Sequence, residues 1–590
     1  MLDPRLYRVA FVPVLLALLV AAFSLQDRPR GSRTSFTAEG FGGVEAANTL
    51  DDLERAYAHR RPGSDGDEQL AQLVAQRLRS TVPGTVEVHR YRADTIDGAR
   101  DLVDVVATRP GAPGPGLVVV AHRDAAATGA KAELSSTAAL LELAAVAADG
   151  RLRRTITFIS TSGGSGGFAG AVEEARRLGD RADAILVLGD VASADERRPF
   201  VVPFSNGLGQ APIALQRTVE AAVRSEVGAG PGTPRAMTQW ARMAVPVTVS
   251  EQGPFLRAGQ PAVLLSASGE RPPAASAQIS QDRLTRFGRA ALRVLMALDT
   301  SPDLAQPPRA DLVIRGKIMP GWAVRLLVGS LLVPPLLVSI DAFARLRRRR
   351  EPVGRWAAWA LTGSLPFLVA CAFAVLLGAL GLIAAAPPAP IPAAGLSLGA
   401  GPVAAFVAIL VVFGLGWLLV RPAVLRLAAG RAGALRRDAP GAAIGLALTT
   451  SLVAVALWVV NPYAAALVVP GLHLWLWATA PDLDLRRPLA VGLVVLGLLP
   501  LLALGLGDSH AFGLDAAHAV WFWTLLVAGG HVPLGSWLLW SLVWGCAISA
   551  GILALRGRPD EPTQGGVTVR GPVTYAGPGS LGGTESALRW

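Results

Sequence analysis

Two kinds of apolar pattern alternate along the chain. Short apolar runs rich in β-branched residues, separated by amphipathic stretches, occupy residues 49–304, and long apolar runs lie before residue 25 and after residue 321. Runs of four to eight residues are typical of buried strands, whereas runs near 20 residues are typical of membrane-spanning helices. The pattern therefore predicts one soluble domain between an N-terminal membrane anchor and a polytopic membrane domain.

Strands and helices alternate within the soluble stretch. Strands are predicted at 86–91, 101–108, 117–120, 155–161, 184–188 and 262–265, and helices at 51–59, 67–79, 136–148 and 168–178. This alternation predicts an α/β fold with a mixed, mostly parallel sheet and flanking helices. Sites in such folds lie at the carboxyl ends of the strands. His122, residues 162–167 and Asp190 each follow a strand, so we expect them to lie together.

The C-terminal half contains a series of spanning helices. Long apolar runs lie at 322–343, 356–385, 402–420, 442–460, 464–480, 489–506 and 536–555. A shorter run at 516–530 either spans, giving nine helices with the anchor, or lies in the interface, giving eight. Arginines follow alternate runs, at 345–350, 421–437 and 486–487. Because basic loops stay in the cytoplasm, we expect a cytoplasmic N-terminus and residues 26–321 outside the cytoplasm.

These patterns divide the chain into six parts. They are an anchor at 1–25, a linker at 26–48, the soluble domain at 49–304, a linker at 305–321, a membrane domain of seven or eight helices at 322–556 and a disordered tail at 557–590. The first apolar run is longer than the core of a usual signal peptide and ends in a poor cleavage site, SLQD. This favours an uncleaved anchor over a cleaved signal peptide.

Composition narrows the class of protein. Hydrophobic residues make up 52% of the chain and charged residues 17%, which agrees with an integral membrane protein in contact with lipid. The net charge of +11 arises from arginines beside apolar runs, so we expect no nucleic-acid binding. Two cysteines, both in apolar segments, form no disulfide framework. The high Ala, Gly and Arg usage is typical of GC-rich bacteria and predicts a bacterial plasma membrane.

Several blocks of the soluble domain carry a family resemblance. Residues 61–64 read RPGS, 121–124 read AHRD, 162–167 read SGGSGG after a strand, and 251–262 read EQGPFLRAGQPA. In this order the blocks resemble the di-zinc aminopeptidase family, which includes aminopeptidase Y, glutamate carboxypeptidase and the glutaminyl cyclases. One helix before the domain and several after it resemble the endoplasmic-reticulum metallopeptidase and the vacuolar membrane protease.

The resemblance implies a particular metal chemistry. Family members hold two zinc ions and a bridging water with His and carboxylate ligands, and a Glu serves as general base. His122 matches the first His ligand, Asp124 the Asp that orients that His, and Asp190 the later Asp ligand.

Other positions of the motif depart from the family. Ala132 stands at the bridging Asp, with Glu133 one residue away, and Gly164 and Ser165 stand at the Glu–Glu pair, so the base position falls on Gly164. No His follows His122 within the soluble domain. We therefore expect zinc to be absent, with a reduced site of His122, Asp190 and Glu133 as the alternative.

Three hypotheses of function remain. The leading one is a membrane-anchored, catalytically inactive peptidase-like protein that binds a peptide or protein partner outside the cytoplasm. The second is an active zinc-dependent exopeptidase with a reduced metal site. The third is a transporter or membrane scaffold with an accessory outer domain, for which His473 and His518, in apolar runs, are the polar candidates.

A fourth hypothesis, a serine hydrolase, has less support from the sequence. Residues 163–167 satisfy the G-x-S-x-G pattern of a nucleophile elbow, with Ser165 as nucleophile. The reading also needs a downstream His, and the soluble domain has none. We therefore interpret the stretch as a Gly-rich loop.

Overall fold

The computed structural model describes residues 3–35, 38–149, 152–301, 306–350, 352–383, 388–391, 396–429, 440–480, 483 and 485–556. The tail predicted at 557–590, and the basic positions 431–437, lie outside the described residues. The N-terminal segment contains α1 (Pro4–Val9), α2 (Val12–Phe23) and the short strand β1 (Gln26–Asp27). Pro4–Phe23 forms a 20-residue apolar stretch that is long enough to span a membrane.

The soluble domain is built on a seven-stranded sheet. Its strands are β2 (Thr85–Thr95), β3 (Gly98–Arg109), β4 (Ala112–His122), β5 (Arg154–Thr161), β6 (Ala182–Leu188), β7 (Val201–Val202) and β8 (Ala262–Leu265), in the spatial order β2-β3-β5-β4-β6-β8-β7. The central strands β5, β4, β6 and β8 are parallel, and β3 and β7 run antiparallel to their neighbours. The prediction of a mixed sheet is confirmed, and its four central strands are parallel.

Helices cover this sheet. They are α3 (Gly43–Ala56), α4 (Asp65–Thr81), α5 (Lys131–Ala148), α6 (Ala169–Leu178), α7 (Ile213–Glu226), α8 (Ala236–Ala244), α9 (Gln252–Arg257) and α10 (Gln281–Asp299). The central strand β4 is buried from Leu117 to Ala121, because helices flank a parallel sheet on both faces and leave no polar face. The residues that follow β4, β5 and β6 are therefore attached to a buried sheet.

A second, small sheet lies next to the membrane segments. The strands β9 (Leu312–Ile314) and β10 (Lys317–Met319) form a hairpin, and β1 pairs with β10. Lys317 Nζ lies 2.5 Å from Asp27 Oδ1 across this pairing. The two stretches predicted as linkers thus meet through backbone hydrogen bonds just outside the membrane helices.

The C-terminal half is helical. Its helices are α11 (Gly321–Arg348), α12 (Val353–Thr362), α13 (Leu365–Ala379), α14 (Ala400–Leu415), α15 (Arg421–Ala429), α16 (Pro440–Val460), α17 (Pro462–Ala478), α18 (Arg487–Phe512), α19 (Ala516–Ala528) and α20 (Leu534–Arg556), with a π-helical turn at Gly416–Val420. Among the described residues, seven helical stretches, the N-terminal one included, are long and apolar enough to span a membrane, and α17 and α19 are shorter apolar helices. The predicted multi-span membrane domain is confirmed at this level.

One helix docks the soluble domain on the bundle. Trp240 Nε1 of α8 donates to the Tyr463 carbonyl at 3.2 Å. Asn461, which caps α17, donates from Nδ2 to the carbonyls of Met243 at 2.8 Å and Ala244 at 3.1 Å. The carbonyls that end α8 are thus satisfied by the membrane domain rather than by water.

Helix α19 lies against the soluble domain at both ends. Before it, the backbone of Gly513 lies close to the Arg271 side chain. After it, His531 lines a cavity together with Val247 of the soluble domain. Residues 516–528 thus form an apolar helix of 13 residues, and its interfacial placement stays a prediction.

Candidate functional site

The candidate site lies at the carboxyl edge of the central strands. Strand β4 ends at His122, β5 at Thr161 and β6 at Leu188, and Asp190 follows two residues after β6. Together with Glu133 near the start of α5, these residues surround a cavity of about 60 Å³, which we call the acidic cavity. The sequence-predicted residues His122, Glu133, Gly164 and Asp190 all line it.

His122 is paired with a carboxylate that the sequence analysis did not single out. Its Nδ1 lies 3.4 Å from Glu251 Oε2, and Glu251 Oε1 accepts a hydrogen bond from Thr161 Oγ1 at 2.7 Å. Burial alone would lower the pKa of His122, but the hydrogen bond and charge of Glu251, with the charges of Asp124 and Glu133, raise it to about 9. The neighbouring carboxylates thus favour the protonated form of the imidazole, which pairs with Glu251.

Asp124 holds the Gly-rich loop. Its Oδ1 accepts the Gly164 amide at 2.8 Å, and its Oδ2 accepts the Ser165 amide at 3.0 Å and the Ser165 hydroxyl at 2.5 Å. Hydrogen bonds to a charged acceptor contribute about 1.5–3 kcal/mol each. Ser165 therefore serves as a loop anchor for Asp124, and its hydroxyl donates to a carboxylate rather than to a histidine.

Gly164 leaves no room for a side chain. A Cβ atom at this position would lie 2.2 Å from His122 Cβ and 2.5 Å from its Cγ. The backbone of the loop packs directly against His122 and fills the space that a side chain at position 164 would need. A glutamate at position 164 would therefore fit only if the loop moved.

Asp190 and Glu133 face the cavity with one oxygen each unpartnered. Asp190 Oδ1 accepts the amides of Ala192 at 2.9 Å and Ser193 at 2.8 Å, while its Oδ2 has no hydrogen-bond partner. Glu133 Oε2 is likewise buried without a partner. Unpartnered buried carboxylate oxygens carry a desolvation penalty that a cationic ligand would relieve.

Burial also sets the protonation of these carboxylates. It raises the pKa of Glu133 to about 7, against the opposing charges of His122 and Arg60 and with the like charges of Asp124 and Asp190. Burial raises the pKa of Asp190 as well, against its hydrogen bonds from the amides of Ala192 and Ser193. The cavity therefore gains negative charge as the pH rises through about 7.

Buried arginines fix the loops behind the site. Arg60 donates from Nε to the Arg123 carbonyl at 2.9 Å and from Nη2 to the Ala130 carbonyl at 2.7 Å. Arg123 pairs through Nε with Asp67 Oδ1 at 2.9 Å and donates from Nη1 to the Ser160 carbonyl at 3.0 Å. The arginine of the RPGS block is thus a positioning element that links the loop after β4 to the start of α5.

The donor set does not fit the two zinc ions that the family resemblance implies. Among the described residues, no group of three or more His, Cys, Asp or Glu side chains is placed to hold a metal ion. Catalytic zinc sites use three protein ligands. Here His122 is paired with Glu251, and Ala132 and Gly164 have no side chain that can bind a metal. These residues therefore do not form a zinc site.

Two acidic residues of the site were missed by sequence reasoning. Glu251 opens the block 251–262, and its acidic character there was the available signal. Glu270 lines the acidic cavity and accepts from Thr248 Oγ1 and from the Val249 amide at 3.1 Å. No local motif marks Glu270, because its partners lie on other segments.

Glu270 also connects the cavity to the membrane domain. Arg242 Nη2 lies 2.7 Å from Glu270 Oε2, and Arg242 Nε lies 4.0 Å from Asp508 Oδ1 of α18. The guanidinium also stands 4.2 Å from the centre of the Phe512 ring. Side chains of this group are at most 9% exposed. The pairing therefore acts in a low-dielectric contact between the two halves of the chain.

The two histidines predicted as polar candidates of the membrane domain, His473 and His518, do not line the acidic cavity. His473 Nδ1 accepts from Tyr7 Oη at 2.7 Å, and its Nε2 donates to the Leu331 carbonyl at 3.1 Å. His518 Nδ1 lies 2.8 Å from Asp515 Oδ2 at the N-terminus of α19. His473 thus ties the N-terminal segment to two helices of the bundle, and His518 belongs to a helix cap.

Comparison with known proteins gave matches in solved structures alone. No family model and no curated protein matches the chain. Glutaminyl cyclase from an Acidobacteriales bacterium is 17% identical and covers 44% of this chain and 95% of its own, with a TM-score of 0.35. The zinc aminopeptidase BSAP from Bacillus subtilis is 13% identical and covers 45% of this chain and 98% of its own, with a TM-score of 0.36.

A further solved structure shows the same partial coverage. LapB from Legionella pneumophila is 16% identical and covers 45% of this chain and 74% of its own, with a TM-score of 0.36. The soluble domain is similar to these structures in fold, and its chemistry has to be inferred from its own residues.

Proposed function

We propose that this chain is a membrane-integral, non-hydrolytic peptidase-like protein whose acidic cavity binds the amino end of a peptide or protein partner. The observation that carries the proposal is the pair of buried, unpartnered oxygens, Glu133 Oε2 and Asp190 Oδ2, on one small cavity. A primary ammonium group carries a positive charge and three hydrogen-bond donors, so it can donate to both carboxylate oxygens at once.

The loss of hydrolysis in this proposal is supported by the base position. Gly164 supplies no carboxylate, and the backbone there packs on His122. Without a positioned general base, water attack loses on the order of 10²–10⁴-fold in rate. Recognition of an amino end needs only the carboxylates, so binding can persist where catalysis does not.

We further propose a cytoplasmic N-terminus and a soluble domain outside the cytoplasm of a bacterial cell. Asp3 Oδ2 lies 3.3 Å from Arg345 Nη2, so the N-terminus and the basic end of α11 lie at the same end of the bundle. Asn461 lies at the opposite end, against the soluble domain. The positive-inside rule then assigns the basic end to the cytoplasm.

Peptide binding by the full chain in detergent tests this function. The probe is a short Ala-Gly peptide with a fluorophore at its C-terminus, because a cavity of about 60 Å³ admits only a small first residue. We expect the free amino form to bind at least about tenfold more tightly than the acetylated form, a difference of about 1.4 kcal/mol. Fluorescence anisotropy gives both affinities.

Variants and pH sharpen the test. Glu133→Gln should abolish the preference for the free amino end, whereas Glu87→Gln, at a surface carboxylate whose side chain is 67% exposed, should preserve it. Affinity should rise as the pH passes about 7, where Glu133 ionises, and fall again once the peptide amine, with a pKa near about 8, loses its proton. Equal binding of both peptides at every pH would refute amine recognition. Zinc-dependent release of alanine would refute the non-hydrolytic part.

A further inference from the structure

A second pair of cavities lies where the soluble domain meets the membrane helices, apart from the acidic cavity. The first, of about 220 Å³, is here called the interfacial slot, and its walls include Leu457, Val460 and Leu526 of the bundle and Val247 of the soluble domain. The second, of about 530 Å³, is called the basin, and its walls include Arg176. Both are lined by Asn206, Arg257 and His531, so the two cavities adjoin at three polar residues.

The slot lies where the soluble domain meets the ends of the apolar helices. It lies between the ends of α16, α17, α19 and α20 that face the soluble domain, and Trp523 and Trp540 line it. Tryptophans concentrate at the level of lipid head groups, where an apolar ring meets a wet boundary. Val460 and Leu208, which also line the slot, are 53% and 47% exposed. The slot therefore presents apolar surface that no part of the described chain covers.

Charge at the junction is positive. Arg257 is exposed and, among the described residues, makes no hydrogen bond or ion pair. The other arginine of the basin, Arg176, is paired with Glu173 at 2.5 Å. A free guanidinium beside an apolar slot complements a ligand with an anionic head and an apolar tail, because guanidinium binds phosphate through a planar pair of donors.

We propose that the slot and basin bind an anionic phospholipid of the surrounding bilayer, with its phosphate against Arg257 and part of one acyl chain in the slot. The two cavities together reach the size range of about 300–1,000 Å³ that is usual for small-molecule sites. The lipid holds the soluble domain against the helix ends. This site is independent of peptide binding in the acidic cavity.

Native mass spectrometry of the full chain released from detergent tests the proposal. The protein is mixed with equal amounts of phosphatidylglycerol and phosphatidylcholine, and the bound lipids are counted. We expect one tightly held phosphatidylglycerol and a preference over phosphatidylcholine of about tenfold. Arg257→Gln should remove the preference, whereas Arg79→Gln, an exposed arginine of α4 outside both cavities, should keep it.

A filling variant separates the slot from the charge. Val460→Trp places a bulky ring in the slot from an already exposed position, so the fold should persist, as circular dichroism and gel filtration would report. Binding of the tightly held lipid should be lost in this variant. Brominated acyl chains should also quench tryptophan fluorescence saturably in the wild-type chain. Lipid binding that is unchanged in both Arg257→Gln and Val460→Trp would overturn the proposal.

Discussion

At the residue scale, the site is defined by a contact between two positions that are distant in sequence. Gly164 touches His122, and Asp124 holds the same loop by its amides. The imidazole is also engaged by Glu251, which keeps its pKa high. Gly164 and Glu251 thus both contact His122, and Asp124 fixes the loop that carries Gly164.

Steric closure at Gly164 gives a direct prediction. Gly164→Ala should lower the free energy of unfolding by about 1–3 kcal/mol, because an added methyl group in a packed region forces the loop or the imidazole to move. Thermal unfolding followed by intrinsic fluorescence measures the change. Gly230→Ala is the matched control, since a Cβ there meets nothing within 4 Å. Equal stability of the two variants would show that the loop yields freely.

At the element scale, polar contacts between helices decide how the parts assemble. Asn461 caps α17 with its side-chain oxygen and satisfies the end of α8 with its amide. Tyr7 of α1 reaches His473 of α17, whose other nitrogen reaches the backbone of α11. In an apolar surrounding, unpaired polar groups are costly, so such pairs fix which helices are neighbours.

The Tyr7–His473 contact predicts energetic coupling. Tyr7→Phe and His473→Leu should each destabilise the chain by about 1 kcal/mol, and the double variant should cost less than the sum by a similar amount, since both remove the same hydrogen bond. Thermal unfolding of the four proteins in detergent gives the cycle. The pair Tyr7→Phe and His518→Leu serves as control and should be additive, because His518 contacts Asp515 instead. Additivity in the first cycle would mean that the contact contributes no stability.

At the scale of the whole molecule, the acidic cavity and the membrane helices form one structure. Glu270 belongs to the cavity wall and to the ion pair with Arg242, which also approaches Asp508 of α18. The shape of the cavity therefore depends on the docking of the soluble domain. Arg242 thus lies between the cavity wall and the membrane helix α18.

Loss of Arg242 should destabilise the contact between the two halves. Arg242→Met leaves the buried Glu270 and Asp508 without their cation, which costs about 3–5 kcal/mol in a buried pair. The control Arg286→Met breaks an exposed pair with Asp282 and should change stability by at most about 1 kcal/mol. Thermal unfolding compares them, and protease sensitivity at residues 306–320 reports undocking. A loss in Arg242→Met no larger than in the control would contradict the coupling.

The sequence by itself determined the strands of the sheet and the membrane helices, because both follow from the pattern of apolar residues. Runs of β-branched residues predicted the strands of the sheet, because a buried strand needs apolar side chains on both faces. Long apolar runs predicted the membrane helices, because a bilayer core has a fixed thickness. His122, Asp190 and residues 162–167 were expected together, because the carboxyl ends of parallel strands share one edge.

The tertiary structure alone decided the chemistry and the assembly of the halves. Glu251, Glu270 and Arg242 come together from separate segments, and no local pattern records such contacts. The short strand β7 is defined by its pairing with β8, about 60 residues further along the chain. The hairpin β9–β10 pairs two strands of three residues each, and β10 also pairs with the distant β1. Segments this short carry too little apolar pattern to be predicted as strands. The packing of Gly164 on His122 likewise joins the Gly-rich loop to the end of β4, and it leaves no space for a side chain at position 164.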